Sequence, residues 1–325
     1  MELPATSTRL NSMSARPDLW PQGLDTAGRI RRAGTVPGLD LVDLNYPQHV
    51  NGLERSVVLS ALADAGLGVG AINLRYDDAF LDGAFTNPEA AMRRRALDIT
   101  VEAGEWALAM GAKQVIVWLG QDGYDYPFQV DYPALWSYTI EGFQHVADAL
   151  PELQIGLEYK PLDPRRFYVV GDMSTSLLCI RDVGRTNVGV VLDVAHSLMA
   201  RENPAQAAAR ALREDKLFGI HLNDAYGVAD DGLIVGSVHP VQTLELVWIL
   251  QRVGYREHIY FDTFPVREDP VAECTRNVEM LQRFWSAAAT LDERAMREAQ
   301  DRHDALRVHA LVHDAAFSMV TGSRR

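Results

Sequence analysis

The chain has 325 residues, of which 47% are hydrophobic and 23% charged, a composition typical of folded globular proteins that excludes disordered and fibrous classes. Its formal net charge of −13 would be repelled by nucleic-acid phosphates and by anionic lipids, so we expect neither nucleic acid nor a membrane as a partner. Only two cysteines, Cys179 and Cys274, are present, and without a signal-peptide pattern they predict a reducing, cytoplasmic setting.

Short apolar segments alternate with longer segments of helical periodicity along the whole chain. The predicted strands are Thr6–Asn11, Leu39–Leu44, Val69–Leu74, Gln114–Trp118, Gln154–Glu158, Val188–Leu192, Leu217–Leu222 and His258–Phe261. Apolar residues at three- and four-residue spacing predict helices near 25–33, 54–65, 88–110, 132–149, 174–183, 204–215, 240–253 and 269–285.

Near-continuous apolar strands are typical of parallel sheets that helices cover on both faces. Eight β–α units in fewer than 300 residues favour a closed (β/α)8 TIM barrel over an open doubly wound sheet, and no glycine-rich phosphate fingerprint follows the early strands. We predict a catalytic barrel over residues 1–285 and a C-terminal helical extension over 286–325, with one helix near Thr290–His313. That helix could pack on its own barrel or on a neighbouring subunit of a homo-oligomer, a dimer or a tetramer.

Functional residues of such a barrel lie where the strands end and the following loops begin. The fifth to eighth predicted strands each bring a carboxylate or an imidazole to this rim, and the residues are Glu158, Asp193 with His196 three positions later, His221 and Asp262. Each of them alone could be an ion-pair partner, a helix cap or a core histidine. Together, three converging carboxylates would raise one another's pKa unless positive charge lay among them.

A divalent metal is the simplest source of that charge. Carboxylate and imidazole ligands suit Mn²⁺ best here, with Mg²⁺ and Co²⁺ as alternatives and one or two ions per subunit. A metal-free salt-bridge cluster is the structural alternative, but Lys160 is the main basic residue in these segments. Because side chains two residues apart on a strand point the same way, Lys160 and Glu158 can both face the barrel mouth.

A second acidic pair, Asp230 and Asp231, follows the seventh strand in YGVADDGLIVGS. On its own the pair reads as a polar turn. Its position on the same rim suggests a second ion, held by Asp193 and His196 with Asp230 or Asp231. Trp118, which ends the fourth strand, could form an apolar wall for a sugar ring or simply seal the barrel top, and Phe85 is expected at the same rim.

These motifs resemble those of the xylose isomerases. The run NLRYDDAFLDGAFT, the long helix, the GAK turn and the tryptophan strand end come in the same order over residues 73–126, and EYKP at 158–161, DVAH at 193–196 and FD at 261–262 match later metal motifs. The segment HLND…DDGLIVGS at 221–237 is closer to the bacterial L-rhamnose isomerase branch. The resemblance covers roughly residues 70–265.

The resemblance implies a role for each matching residue. Glu158, Asp193, His221 and Asp262 would hold a structural, substrate-binding metal, and Asp193, His196 and one or both of Asp230 and Asp231 would hold a catalytic metal. Lys160 would hydrogen-bond a substrate oxygen, while Trp118 and Phe85 would contact the substrate. The catalytic set is therefore expected to comprise Lys160, His196, Asp230 and Asp231.

Two departures from the family pattern affect these roles. The relatives have two aspartates separated by one residue in the loop after the seventh strand, whereas Asp230 and Asp231 are adjacent. The relatives also carry a histidine after the second strand that assists ring opening, where this chain has Asn45 and, four residues later, His49. Either His49 performs that step at the substrate or the substrate is already open-chain.

The leading interpretation is a metal-dependent aldose–ketose isomerase that acts on a small unphosphorylated sugar by a 1,2-hydride shift. The lack of a phosphate-binding glycine loop or a basic rim agrees with an uncharged substrate. A one-metal ketose 3-epimerase or an inosose-type dehydratase on the same barrel is the enzymatic alternative. From another class, the chain could be a catalytically silent sugar-binding or partner subunit.

Overall fold

The computed structural model describes residues 2–321, with side chains described for residues 2–316. Its strands are β1 (Thr6–Arg9), β2 (Leu41–Tyr46), β3 (Gly68–Leu74), β4 (Gln114–Trp118), β5 (Gly123–Tyr124), β6 (Gln154–Glu158), β7 (Phe167–Tyr168), β8 (Val188–Asp193), β9 (Leu217–Leu222) and β10 (Ile259–Phe261). Within the described residues, eight of these strands form a closed parallel barrel in the order β1-β10-β9-β8-β6-β4-β3-β2. This closure confirms the predicted fold class.

The helices surround the barrel. They are α1 (Thr26–Ala33), α2 (Arg55–Ala65), α3 (Ala90–Met110), α4 (Tyr132–Ala149), α5 (Met173–Val183), α6 (Val194–Met199), α7 (Pro204–Arg213), α8 (Pro240–Val253), α9 (Pro270–Ala288), α10 (Glu293–Asp301) and α11 (Ala305–Thr321). Side-chain caps mark several starts: Asp131, Asp172 and Asn203 each accept a hydrogen bond from a backbone amide of the first helical turn.

The barrel strands form because their residues can be buried on both faces. Every residue of β8 is buried, from Val188 to Asp193, as expected for strands of a parallel sheet that helices cover. Valine and isoleucine side chains in these strands pack outward against the helices and inward across the barrel. The rigid strands thereby fix the residues at their carboxyl ends.

The first strand is shorter in the structure than the sequence predicts. The first predicted strand ends at Arg9 rather than Asn11, because a 3-10 helix over Leu10–Ser14 buries Leu10 and Met13. The strands β5 and β7 pair antiparallel outside the barrel, above its carboxyl-end rim. The residues of this small sheet belong to the loops that follow β4 and β6.

The C-terminal extension is helical, as predicted, but the structure has two helices where the sequence suggested one. The chain turns between α10 and α11, and His303 adopts a left-handed φ of 51° there. Met296, Ala299 and Ala315 are buried, and α11 packs on α8 and α9 of the same chain. Residues 322–325 of the predicted extension lie outside the described residues, and the division at residue 285 stays a prediction.

Two further features are the state of the cysteines and the character of the helices. Cys179 and Cys274 are both free and buried. In the part of the chain that the structure describes, no helix has the length and apolar character needed to cross a membrane.

Candidate metal centre at the barrel mouth

The predicted rim residues lie together at the carboxyl ends of four neighbouring barrel strands. Glu158 ends β6, Asp193 ends β8, His221 lies on β9 and Asp262 directly follows β10. Because β6, β8, β9 and β10 are consecutive in the barrel, these side chains share one half of the mouth. The cavity there is narrow, with a volume of about 40 Å³ for water-sized molecules.

The first group of candidate ligands comprises Glu158, Asp193, His221 and Asp262, whose ligand atoms all lie within 4.8 Å of one another. The Nδ1 atom of His221 is 3.3 Å from Oε1 of Glu158, yet neither ring nitrogen of His221 makes a hydrogen bond within the described residues. The Oδ1 atom of Asp262 is also buried and accepts no hydrogen bond from the described residues, although Nε of Arg9 lies 3.3 Å away as an ion-pair partner. Since such atoms are costly to bury unpaired, the donor set fits a divalent cation.

A second group comprises Asp193, His196 and Asp230, again with ligand atoms within 4.8 Å of one another. The Nε2 atom of His196 is 3.1 Å from Oδ2 of Asp230. Its Nδ1 atom is buried without a hydrogen bond from the described residues, although it lies 3.5 Å from Oε1 of Glu158. Asp193 belongs to both groups, so one carboxylate is common to the two predicted ion sites.

The carboxylates of the two groups strongly shift one another's pKa values and those of His196 and His221. Burial raises the pKa of Asp193 to about 7, and the charges of Asp230, Asp262 and Glu158 act in the same direction. Burial opposes protonation of the histidines, but neighbouring carboxylates, with Asp193 first for His196 and Glu158 first for His221, raise the pKa of His196 to about 10 and that of His221 to about 9. Without a metal, Asp193, His196 and His221 therefore bind protons more strongly than usual. A cation that bound to these side chains would displace the protons.

Asn223, which the sequence reasoning did not single out, fixes the orientation of Asp193. Its amide nitrogen donates to both carboxylate oxygens of Asp193, at 3.3 and 3.1 Å, and to the backbone carbonyl of Asp262 at 3.1 Å. Its oxygen accepts from the backbone N–H of Ala195. The signal for this residue was its place two positions after His221, directly past the end of β9.

The two adjacent loop aspartates are placed differently. Asp230 turns into the mouth, where its Oδ2 atom is 3.3 Å from Nζ of Lys160. Asp231 turns back and accepts a hydrogen bond of 2.8 Å from the backbone N–H of Tyr226. The structure therefore brings Asp230, and not Asp231, to the second ligand group.

Lys160 faces the mouth beside Glu158, as strand alternation suggested. Its Nζ atom lies 2.9 Å from Oδ1 of Asp163 and 3.3 Å from Oδ2 of Asp230, and Tyr168 donates a hydrogen bond to Asp163. Burial works against the ammonium, but Asp230 and Asp163 raise its pKa above the usual value. Lys160 is thus a charged donor held on two carboxylates.

Two further cations reach the mouth that the sequence reasoning did not identify. The Nε atom of Arg9, the last residue of β1, is 3.3 Å from Oδ1 of Asp262. Arg75, which directly follows β3, lines the cavity, and its guanidinium carbon lies 4.5 Å from the ring centroid of Trp118. Both positions are strand ends, which is the signal that could have found them.

Trp118 lines the cavity as expected. Arg75 covers one of its ring faces at 4.5 Å, and Nζ of Lys160 lies 5.5 Å from the same ring. The indole thus contacts cations as well as the open cavity, which differs from a purely apolar wall.

His49 and Phe85 lie away from this cavity. Nδ1 of His49 accepts from the backbone N–H of Asn45 at 2.8 Å, so its Nε2 atom carries the proton and donates to Asn11 at 2.6 Å. Burial lowers the pKa of His49 to about 3, assisted by nearby arginines. Phe85 is buried in the core against Phe143. The cavity is instead lined by Asn45, Asn73 and Tyr260 among other residues.

Comparison with known proteins adds family information to this geometry. A family model described as "Xylose isomerase-like TIM barrel" matches residues 37–284. The chain is 31% identical to a xylose isomerase of Thermus thermophilus over 217 residues, which are 64% of this chain and 56% of that protein. It is 28% identical to a probable sugar isomerase of Mesorhizobium japonicum over 258 residues, covering 74% of this chain and 59% of that protein. The chain thus spans less than two thirds of either relative.

Solved structures share the fold at lower identity. A xylose isomerase domain protein from Alicyclobacillus acidocaldarius superimposes with a TM-score of 0.66 at 18% identity, covering 88% of this chain and 100% of that one. A D-allulose 3-epimerase from Methylomonas gives a TM-score of 0.69 at 16% identity, covering 87% and 97%. At such identities the likeness shows the fold alone.

Proposed function

Because the chain belongs to the xylose isomerase-like TIM barrel family, we propose that it is a metal-dependent aldose–ketose isomerase acting on a small unphosphorylated sugar. The observation that carries the proposal is the pair of ligand groups that share Asp193, with Lys160 beside them. Two curated relatives named as sugar isomerases support the reaction class.

The donor set decides which metal the proposal names. Glu158, Asp193, His221 and Asp262 would hold one ion, and Asp193, His196 and Asp230 the other. Oxygen donors with imidazole and without thiolate suit Mn²⁺, with Mg²⁺ and Co²⁺ as alternatives. When bound, such ions polarise the substrate carbonyl and hold neighbouring oxygens, so that hydrogen can move between C1 and C2 as hydride.

The side chains of the mouth bind the substrate and handle its proton. Lys160, held by Asp163 and Asp230, donates a hydrogen bond to the carbonyl oxygen. The Oδ1 atom of Asp230 is buried and has no hydrogen-bond partner among the described residues. We assign it as the acceptor for the substrate hydroxyl proton, within reach of the donor that Lys160 provides.

A labelling experiment tests the reaction. Purified protein is incubated with aldoses of five and six carbons and with 6-deoxy aldoses, each carrying deuterium at C2, in the presence of Mn²⁺, Mg²⁺ or Co²⁺. We expect one aldose to give its ketose with deuterium retained at C1, and Lys160→Met to lower the rate by at least a hundredfold. Complete exchange of the label with water would contradict a hydride shift.

The first ligand group alone favours one competing function, a one-metal ketose 3-epimerase. Glu158, Asp193, His221 and Asp262 are a complete set without Asp230. An epimerase would remain active in Asp230→Asn, whereas the proposed isomerase would not.

Measurements of metal content and of turnover together test whether the chain is a non-catalytic sugar-binding subunit. We expect Glu158→Gln to lose bound Mn²⁺, measured by elemental analysis after gel filtration. Glu152→Gln, at an exposed position just before β6, should retain it. Metal retained in both variants, with no turnover of any sugar, would favour a non-catalytic subunit.

The assembly and location of the protein belong to the same proposal. We propose a cytoplasmic homo-oligomer, a dimer or a tetramer. Multi-angle light scattering of the purified chain measures the assembly, and a monomer at micromolar concentration would contradict it.

A further inference from the structure

The half of the mouth opposite the metal ligands carries a second set of polar side chains. In the barrel order, β3 lies four strands from β9 in either direction, so residues at the end of β3 face His221 across the cavity. Asn73 lies on β3, Arg75 follows it, and both line the cavity. A substrate that reaches the metal ligands with one end therefore meets Asn73 and Arg75 with the other.

Arg75 is the mouth cation without a direct anionic partner. Its guanidinium makes no ion pair or hydrogen bond with the described residues 2–316 and lies over the face of Trp118. Burial opposes the lowering of the Glu158 pKa and His221 does most to cause it, and the charge of Arg75 adds to it without contact between the two groups. By contrast, Arg9 is paired with Asp262, and Lys160 with Asp163 and Asp230. Stacking on an indole leaves the guanidinium edge free for hydrogen bonds and restricts its orientation.

Asn73 offers the complementary group. Its side chain is 8% exposed, and its Oδ1 atom is buried without a hydrogen-bond donor among the described residues. Its amide nitrogen lies 3.5 Å from Oδ2 of Asp43, which leaves the oxygen to accept from a ligand. A cation beside an unsatisfied acceptor suits a ligand end that carries a carboxylate next to a hydroxyl.

We propose that Arg75 binds a substrate carboxylate, and that the substrates are sugar acids of the aldohexuronate class, in place of the uncharged substrate that the sequence led us to expect. This inference rests on the proposed function, which places the carbonyl end at Lys160 and the metal ligands. An aldohexuronate has its aldehyde and its carboxylate at opposite ends, as the two halves of the mouth require. A neutral hydroxyl would leave the charge of Arg75 unmatched, and no glycine-rich loop or second free cation is present in the described cavity lining to hold a phosphate.

The affinity for matched sugars tests the proposal by a readout other than the rate of turnover. Isothermal titration calorimetry of the Mn²⁺-loaded protein compares glucuronate, galacturonate and mannuronate with glucose, galactose and mannose, each pair differing only at C6. We expect at least one uronate to bind about ten- to a hundredfold more tightly than its hexose, the range for a charge-assisted contact. If no uronate binds more tightly than its hexose, the proposal is overturned.

Variants separate Arg75 from direct contact between the carboxylate and the metal. Arg75→Gln should abolish the uronate preference, and Arg75→Lys should restore part of it. Arg31→Gln, the same charge change at an exposed residue of α1, should keep the full preference. Uronate preference that persists in Arg75→Gln would also overturn the proposal.

The outcomes distinguish this inference from the proposed function. If uronate binding depends on Arg75 but no sugar is isomerised, the isomerase proposal fails and the Arg75 site stands. If neutral sugars are isomerised equally well by wild type and Arg75→Gln, and uronates are not preferred, the isomerase stands and this inference fails.

Discussion

Asp230 and Asp231 are chemically identical neighbours with different surroundings, which makes them a matched pair of variants. Asp230 lies against His196 and Lys160, whereas the Asp231 carboxylate accepts a hydrogen bond from the backbone of its own loop. We expect Asp230→Asn to weaken binding of the second Mn²⁺ at least tenfold, the effect typical of altering a metal site. Asp231→Asn should leave it within about threefold. Calorimetric titration measures both, and equal effects would contradict the assignment.

The depressed pKa of His49 gives the protein an acid-sensitive group outside the metal centre. Burial holds this pKa near 3, below the ordinary value of about 6.5, so the folded state excludes a proton that the unfolded chain binds. The stability that neutral His49 confers is present above about pH 6.5 and is lost as pH falls from there toward 3, at up to about 1.4 kcal/mol per pH unit.

His49→Gln removes this titration and tests the sign. The free energy of unfolding in urea is measured from pH 7.5 to pH 4.5 for wild type and variant. We expect the variant to be less stable at pH 7.5 and the difference to shrink as pH falls. His145→Gln, at an exposed position of α4, controls for loss of a histidine. A difference that stays constant with pH would show that His49 does not contribute in this way.

Residues at strand ends could be predicted because their neighbours dictate their position. Glu158, Asp193 and His221 each adjoin a run of apolar residues that can only be a buried strand, and parallel strands bring their carboxyl ends together. Asp230 and Asp231 could not be told apart, because their directions depend on loop backbone contacts without sequence periodicity. The direction of His49 could not be predicted for the same reason, since it depends on hydrogen bonds with Asn11 and with the backbone of Asn45 that the apolar pattern does not encode.

At the scale of elements, the segment between β9 and α8 positions Asp230. Asp224 is fully buried and accepts from the backbone N–H groups of Ala225, Val238 and His239. It also bonds the His239 ring at 2.8 Å. Its backbone pairs with that of Leu233 in both directions. The carboxylate and the backbone of Asp224 thus hold the two ends of the loop together.

Asp224→Asn should destabilise this loop without changing any of the proposed metal-ligating residues. The substitution replaces one accepting oxygen by an amide NH₂ group, a donor that would face backbone N–H donors, so we expect a loss of about 1.5–3 kcal/mol of unfolding free energy. Affinity for the second Mn²⁺ should fall while the first site remains filled. Asp231→Asn in the same loop is the control, since an asparagine oxygen can still accept from Tyr226. Unchanged stability would show that the loop is held by other contacts.

Strands and helices with a strong apolar pattern were predicted well. Turns and short pairings, which depend on local backbone geometry, were predicted poorly. The strands β4, β6 and β9 match their predicted ranges, since each is an apolar run between polar turns. The break between α10 and α11 was missed, although Asp304, which accepts a hydrogen bond from the backbone N–H of Arg307 just after the turn at His303, is a residue type that starts helices. The short pairing of β5 with β7 carries no pattern at all, since each strand has two residues.

At the scale of the whole molecule, the ligand groups account for only part of the charge. Four of the 44 acidic residues, Glu158, Asp193, Asp230 and Asp262, lie in the two groups, so most of the −13 is solvated surface. Those four nevertheless connect strands from half of the barrel circumference. Their electrostatic state therefore affects the stability of the entire fold.

Metal binding should raise the stability of the whole protein by mass action. A ligand that binds only the folded state at a hundredfold excess over its Kd stabilises that state by about 2.7 kcal/mol per site, which for a chain of this size raises Tm by several degrees. We expect chelation with EDTA to lower Tm and Mn²⁺ to restore it. Glu158→Gln should lose most of this response and Glu152→Gln should keep it. A Tm that is indifferent to both chelation and Mn²⁺ would show that the carboxylates are balanced by Arg9, Lys160 and the histidines alone, as in a metal-free salt-bridged barrel.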